Sequence, residues 1–578
     1  MRVLGRRVYW RWFGEVFLEG GLRLRMTGDA AKWLRPGDRV RLATEYRKPL
    51  LDFDEYALEG AFPLWPLFSR ALDHVRESPL GGEVYRYRLR AREAMYEADF
   101  EAIAELEQYH YASEKEVVAL WVCPRCGETL FANTKPLCEC GGEARLKEIR
   151  GSTPASRFLI LELVERLPFE PRILGYVRLD PPIPRMHRRI PGGVERNIRE
   201  RIFPKDWFHP TFEGGKDWES ALDRVHTAAS RIARVVVHPD YRSEGLGALL
   251  VELALAWVKE RAVPEGRREK HLVYTVAQMA RYHPFFEKVG FRYLFDTASG
   301  RPVLAYPLTE EAEHYLDRFL KEDPYARAHG GRLFVSRFGR VRGLPGSIRL
   351  VGVRKSYRSH LDLSDLSPEV QETLAAFGVK ARVLERAILR EADLEVPPGS
   401  VVALAGASGA GKTTLLRLLL GEPPDGGEVE VPEGRRVAYI PGEREVDLGQ
   451  EPLLERLYRQ LQDVGAAIEV LNRVGLSDAV LYRARPKELS TGQRERYRLA
   501  LLLAQRPDLL LIDEFAAHLD VPTARRVALG LGKLVRQAGI TLVVATHRQE
   551  VIASLDPDLL VFVGYGGLMA IPRKDPRT

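Results

Sequence analysis

The segment that most restricts this chain is Gly406-Ala-Ser408-Gly409-Ala-Gly411-Lys412-Thr413, set between the apolar run Val401-Val-Ala-Leu-Ala and the helical run Thr414 to Leu420. A buried strand, a glycine-rich turn and a helix in that order build a phosphate cradle. The glycines let consecutive backbone N–H groups turn inward around the anion, Lys412 neutralises the β and γ oxygens, and Thr413 offers its hydroxyl to magnesium at the helix N-terminus. Gly406, Ser408, Gly409, Gly411, Lys412, Thr413 and Thr414 are therefore the expected ligands of a nucleoside triphosphate.

Further along, Leu509-Leu-Leu-Ile-Asp513-Glu514 reads as a second buried strand, ending in two carboxylates. Asp513 is placed to hold magnesium through water and Glu514 to polarise an attacking water. Between the two motifs lies Leu489-Ser490-Thr491-Gly492-Gln493-Arg-Glu-Arg, followed by a helix that runs toward Asp513.

These three segments together resemble the ABC ATPases over residues from about 347 to 570. The resemblance implies ATP as the nucleotide. Ser490, Gly492 and Gln493 would form a signature that caps the γ-phosphate held by a partner subunit. His518-Leu-Asp520 would be the dimer-contact loop, His547 the switch histidine, and Tyr357 the aromatic residue that stacks on adenine. Two positions depart from the family pattern. A glutamine usually follows the strand that here reads Val437-Ala-Tyr-Ile-Pro441, but this chain has Gly442 and Glu443, with Glu443 as a candidate substitute. Thr491 stands where glycine is commoner. One chain carries one cassette, so a head-to-tail homodimer with two composite sites is expected.

A second anion-binding turn lies in the middle of the chain. Ile232-Ala-Arg-Val235-Val236-Val237-His-Pro-Asp-Tyr-Arg242-Ser243-Glu244-Gly245-Leu246-Gly247-Ala248 reads as a strand, a tight turn and a helix. Backbone amides of Arg242 to Ala248 can bind a pyrophosphate, while the edge of Val235 to Val237 can pair with pantetheine amides in β fashion. With Pro284-Phe-Phe-Glu-Lys-Val-Gly290-Phe291 downstream, the segment resembles the Gcn5-related N-acetyltransferases (GNAT), which implies acetyl-CoA as the donor. Phe286 stands where many members of that family carry a tyrosine acid. Tyr282, His283 and Glu287 are the candidate substitutes for it, with water as an alternative, and for any one of them taken singly a packing or solvated role is the preferred reading.

All four cysteines fall in Cys123-Pro-Arg-Cys126-Gly and Cys138-Glu-Cys140-Gly. Two short knuckles with four thiolates suit tetrahedral Zn2+ in a structural role, and they suit a reducing cytoplasm. Arg185, Arg188, Arg189, Arg196, Arg199 and Arg201 make a basic segment, with Trp207, Phe208 and His209 beyond it. A phosphate-backbone contact is the preferred reading of that segment; arginines paired with glutamates on a solvated helix are the competing one. The cluster Tyr9-Trp10-Arg-Trp12-Phe13 could stack on bases or fill a core.

A chain of 578 residues exceeds one hydrophobic core. The expected α/β multidomain organisation is a small β-rich module over 1–85 and a GNAT domain over 86–310 with a zinc-ribbon insert at 118–147. A connector over 311–346 and an ABC nucleotide-binding domain over 347–578 follow. No membrane span or signal peptide is evident, so a cytoplasmic location is expected. The expected activity is ATP-dependent N-acetylation of a nucleic acid, with RNA ahead of DNA and a base amine in tRNA as one example. Protein acetylation with the ATPase as a clamp is the alternative, followed by an acetyl-CoA-sensing ATPase switch without transfer.

Overall fold

The computed structural model describes residues 1–110, 117–208, 226–442 and 447–573, and the side chain of Leu361 is also left aside. Glu443 and His209 therefore lie outside the described residues. The chain divides into two compact units, Met1–Val75 with Arg86–Val335, and Arg76–Tyr85 with Ser336–Thr578.

The first unit opens with a small β module in which β1 (Val3–Trp10) pairs antiparallel with β2 (Phe13–Leu18). Alternation along these strands sends Val16 and Leu18 into a core shared with Leu24, Leu58 and Trp65. Beyond it, β3 (Glu83–Glu93) enters an eight-stranded sheet. Helix α1 (Glu97–Glu107) follows and starts on a capping box in which Asp99 accepts the amide of Tyr96 at 3.0 Å.

A three-stranded sheet then carries the cysteines: β4 (Ala119–Val122), β5 (Thr129–Phe131) and β6 (Arg145–Ile149). The chain returns to the large sheet through the strand Arg157–Leu163 and continues in it with β7 (Ile173–Asp180), every residue of which is buried, and β8 (Ala229–Val237). Helix α2 (Leu246–Arg261) follows, then β9 (Leu272–Val276) and α3 (Phe285–Val289). Leu250, Val251 and Ala254 of α2 pack on Val177, Leu179 and Ile232 of the sheet, the apolar core beneath the turn.

In the second unit a long hairpin of β10 (Ile348–Leu361) and β11 (Arg382–Val396) leads into the central strand β12 (Val401–Ala405) and helix α4 (Lys412–Leu419). Strand β13 (Val437–Ile440), helix α5 (Thr491–Leu503), strand β14 (Leu509–Ile512), helix α6 (Val521–Ala538) and strand β15 (Thr541–Ala545) follow. The strands β13, β14, β15 and β12 are neighbours in that order and all parallel. Their carboxyl ends therefore share one edge, where ligands of such sheets bind. Among the described residues no helix is long and apolar enough to cross a membrane.

The basic segment is not the continuous exposed strip that its sequence suggests. Arg188 is buried and gives Asp323 two hydrogen bonds, at 2.8 and 3.0 Å, and Arg199 is buried between the rings of Phe208 and Tyr274. Arg185, Arg189, Arg196 and Arg201 remain exposed, Arg201 pairing with Glu195. Trp207 and Phe208 are core residues.

Candidate functional site

The phosphate loop of the second unit is shaped by backbone that only glycine adopts readily. Gly406, Gly409 and Gly411 have φ of 150°, 71° and 110°. A Cβ on Gly406 would lie 2.2 Å from the carbonyl oxygen of Val563, and one on Gly411 would lie 2.5 Å from Ile388 Cγ2. Lys412 Nζ donates to the carbonyls of Gly406 and Ala407 at 2.8 and 2.9 Å, so its charge lies over the loop. Thr414 is buried, and Ser408 lies exposed on the loop.

Thr413 Oγ1 donates to Asp513 Oδ2 at 2.7 Å, which joins the ends of two motifs 100 residues apart in one site. A hydroxyl and a carboxylate at this spacing fit a hard cation that prefers oxygen ligands, such as Mg2+. Glu514 is exposed beside Asp513 and has φ of 50°, a conformation that side chains other than glycine seldom take. Gly442 lies directly beneath the Glu514 carboxylate, with 3.1 Å from its ideal Cβ position to Oε2.

Ser490 caps α5 and Gln493 completes its capping box. The Gln493 amide donates to Ser490 Oγ at 3.3 Å, and the Ser490 amide donates to Gln493 Oε1 at 3.0 Å. Ser490, His518 and His547 are exposed, and Gly492 is half-buried. Tyr357 on β10 donates to Glu422 at 3.2 Å and has Lys355 Nζ 5.8 Å from its ring centre. Across the hairpin from Tyr357 stands Arg386, whose guanidinium donates to the Gly409 carbonyl at 3.1 Å. Sequence reasoning missed Arg386, since nothing local marks it.

In the first unit the parallel ladder between β8 and β9 stops at Ile232–Thr275. Residues 233–237 continue in β8, paired on their other edge with β7, and Ala233 is skipped by the register as a bulge. Val235, Val236 and Val237 thus border an opening in the sheet where an extended chain can pair. At its end the turn bends sharply, with Ser243 at φ of 67° and Gly245 at 82°. Arg242 is anchored by Nη2 donating to the Tyr109 carbonyl at 3.0 Å, and Glu244 and Leu246 are buried. Beside the turn, the nearest atom to a Cβ built on Gly247 is Phe285 Cδ2 at 3.8 Å, which brings the start of α3 alongside Gly247 and Ala248. An opened strand edge and helix-start amides fit an acyl-CoA.

Tyr282 and His283 are half-buried just before α3, whereas the Glu287 carboxylate is committed to structure, accepting the amides of Leu333 and Phe334 at 2.9 and 3.0 Å. Phe286 is buried in the core. A polar group that sequence reasoning missed sits on the other side of the sheet. Glu107 accepts from Arg234 Nε at 3.2 Å and from the Tyr176 hydroxyl, and His110 lies close enough to feel Arg234, Arg178 and Arg242. Burial first, then those three cations, pushes the His110 imidazole down to about 3, so it is neutral at ordinary pH. Arg178 is buried, its nearest carboxylate oxygen is Asp180 Oδ1 at 3.5 Å, and its Nε and Nη1 have no acceptor among the described residues.

The four cysteine sulfurs lie within 4.8 Å of one another, with Cys123 to Cys140 at 3.5 Å and Cys126 to Cys138 at 3.4 Å. A tetrahedral thiolate site with metal–sulfur bonds near 2.3 Å needs sulfurs about 3.8 Å apart, so the donor set fits.

Comparison with known proteins agrees with both halves. The ABC transporter family model matches residues 389–517, and the acetyltransferase (GNAT) domain model matches residues 216–293. The aliphatic sulfonates import ATP-binding protein SsuB 3 of Rhodococcus jostii is 37% identical over 196 residues, covering 32% of this chain and 69% of that protein. This chain belongs to the ATP-binding cassette (ABC) family. It joins an ABC ATPase to a GNAT acetyltransferase domain, and both indicate enzymatic activity.

A second relative of the ABC half, an SsuB protein of Pseudomonas entomophila, is 34% identical over 34% of this chain and 75% of its own length. The methionine import ATP-binding protein MetN of Mesorhizobium japonicum is 34% identical, with 56% of its length covered. Among solved structures, a dimeric bacterial ABC transporter cassette is similar at 22% identity, covering 39% of this chain and 99% of that chain, with a TM-score of 0.31.

Proposed function

We propose that this ABC–GNAT fusion is an ATP-dependent N-acetyltransferase that carries the acetyl group of acetyl-CoA to a base amine in RNA, with tRNA as one candidate. The amine nitrogen bonds to the thioester carbonyl carbon, the carbon–sulfur bond breaks, and the amine proton leaves as the thiolate takes one up. Tyr282 and His283, half-buried just before α3, are the groups proposed to handle those protons.

The observation that supports a polyanionic acceptor is Arg178. Its Asp180 partner lies at 3.5 Å and satisfies neither Nε nor Nη1 by a hydrogen bond, so donors remain that a further anion can engage. Arg231 and Arg234 flank it on β8 and pair, among the described residues, with Asp180 and Glu107, Arg231 to Asp180 at 2.7 Å.

In the ABC domain, Lys412, Thr413 and Asp513 are proposed to hold ATP and Mg2+, Glu514 to orient the water, and His547 to assist it. Exposure of Ser490 and the approach to Gly492 suit a head-to-tail homodimer that closes over each nucleotide. ATP turnover then exposes a base that is otherwise stacked. Cys123, Cys126, Cys138 and Cys140 are proposed to bind Zn2+ as a structural ion.

Radiolabelled acetyl-CoA supplied with Mg2+, with and without ATP, and with tRNA, rRNA, DNA or cell protein in separate reactions, tests this reading. ATP-dependent label in an RNA fraction is expected. Label confined to protein would replace RNA with a protein acceptor, and no label at all would leave an acetyl-CoA-sensing ATPase.

A further inference from the structure

Three segments that the reaction does not use meet around one cavity in the first unit. The turn between β1 and β2, the first turn of α1, and the start of β6 in the cysteine-bearing sheet border an open hollow of about 490 Å³. That volume lies within the roughly 300–1,000 Å³ of ordinary small-molecule sites. Its lining is dominated by rings. Trp10 and Trp12 lie parallel, with centroids 5.3 Å apart and planes 7° apart, and Tyr9 stacks on Phe13 at 5.4 Å. Behind them Trp12 packs on Phe100 at 6.0 Å, which fixes the wall to α1.

Two of the rings are presented rather than packed away. Tyr96 is 58% exposed and Tyr9 44%. At an ordinary core position, aromatic side chains of this size bury most of their surface.

The polar groups are few and placed at one side. Glu97 Oε1 is buried and accepts no hydrogen bond, with Arg145 Nε 4.0 Å away, beyond hydrogen-bond distance. Two further cations lie near the rings, Arg92 from its buried pair with Asp99 and Arg7 at the surface. Arg92 lies 5.5 Å from the centre of the Tyr96 ring, and Arg7 donates to the Tyr9 hydroxyl at 3.3 Å.

We infer that this cavity is a subsite for an unpaired nucleobase of single-stranded RNA, stacked on the Trp10 and Tyr96 side of the wall, with its exocyclic amine donating to Glu97 and its phosphate beside Arg145. Parallel rings extend naturally into a stack of flat heterocycles, and each base stacked on an aromatic side chain adds affinity without demanding a sequence. The unsatisfied carboxylate oxygen selects bases that bear an amine, so adenine and cytosine are preferred over uracil. A quaternary ammonium would instead call for faces that box it from several directions, and the two indoles form a single plane-parallel wall. The inference rests on the RNA-acceptor reading and adds to it a site distinct from the acetyl-transfer cleft. It also gives the N-terminal module and the cysteine-bearing sheet a shared task, which is to hold a strand while another base reacts.

The test uses the full-length protein, tryptophan fluorescence and filter binding, with oligo(A), oligo(C) and oligo(U) of equal length, AMP alone, and a trimethyllysine peptide. Wild-type protein is expected to bind oligo(A) and oligo(C) more tightly than oligo(U), and AMP is expected to quench its fluorescence. Tyr96→Ala and Trp10→Ala should each weaken oligo(A) binding by about fivefold to a hundredfold. Glu97→Gln should reduce the preference over oligo(U). Acetyl-CoA and ATP affinities measured on the same preparations report that each variant is folded, and Tyr96 is exposed enough for its removal to be tolerated.

RNA affinity that survives all three substitutions would overturn the subsite and leave the RNA-acceptor reading standing. Failure of the wild type to bind any RNA would overturn both. Binding of the trimethyllysine peptide at the same rings, without RNA binding, would show that the cavity takes an ammonium group.

Discussion

Glu514 closes over the α-carbon of Gly442, so that a Cβ at position 442 would lie 3.0 Å from Glu514 Cγ and 3.1 Å from its Cδ and Oε2. A side chain at this position, such as the glutamine usual in ABC ATPases, would press on the carboxylate expected to orient water and require it to give by a few tenths of an ångström. Gly442 leaves that room free for Glu514, whose backbone lies in the left-handed region.

Gly442→Ala is accordingly expected to slow ATP turnover by about 10- to 100-fold, the size of effect that a misplaced catalytic group produces. Nucleotide affinity, measured by titration with a non-hydrolysable analogue, should be nearly unchanged. Equal turnover in the variant would show that Glu514 does not depend on this contact.

Glu514→Gln should lower hydrolysis by about 100-fold or more, because the group that polarises water is lost while the phosphate cradle is kept. Light scattering with ATP and Mg2+ should then detect a long-lived dimer. A monomer that retains ATP would contradict the head-to-tail arrangement.

Gly245→Glu should abolish CoA binding in calorimetry. It places a charged side chain at φ of 82°, in the turn proposed to receive the pyrophosphate. ATPase activity should persist, since the phosphate loop belongs to the other compact unit. Unchanged CoA affinity would remove this turn from the site.

Asp99 provides a pH test of the first unit. Burial pushes its carboxyl up, but donors from Arg92 at 2.7 and 2.9 Å and the amides of Met95 and Tyr96 outweigh that and hold it below the usual carboxylate range. A folded value below the unfolded one stabilises the protein above about pH 4, and the contribution is lost as pH falls through the folded value. Asp99→Asn should cost roughly 3–5 kcal/mol at neutral pH, as expected when one partner of a buried ion pair is removed. It should also flatten the acid limb of the stability curve. A variant whose denaturation midpoint falls with acid as steeply as the wild type's would refute the assignment.

One zinc per chain is expected by elemental analysis, and Cys138→Ser should remove it and loosen the three-stranded sheet. Full metal content in that variant would exclude this donor set.

Contiguous motifs were the legible part of this chain. The order strand, glycine turn, helix around Lys412 and around Gly245 specifies both anion sites locally, and the cysteine spacing brings four sulfurs together. Asp513 could be paired with Thr413 because both stand at the carboxyl edge of one parallel sheet. What escaped depends on distant register or on partners far along the chain. Arg386 reaches Gly409 only because Tyr357 and Arg386 face each other across a hairpin whose connection hides its pairing. Arg188 looked free in a basic run until Asp323, 135 residues away, took it inward. Glu287 could be read as a proton donor or as a packing residue, and only the fold brings the amides of Leu333 and Phe334 to its carboxylate.

The interrupted ladder at Ile232 and Thr275 also bears on how the first unit holds itself together. Beyond Ile232 the edge of β8 has no paired strand on the β9 side among the described residues, so an acyl-CoA proposed to pair there would act as a removable ninth strand. Folding and occupancy are then thermodynamically linked. At a ligand concentration 100 times its dissociation constant, the linkage is worth about 2.7 kcal/mol. The melting temperature of this unit should climb with the donor supply, so that its heat resistance registers how much acetyl-CoA surrounds it.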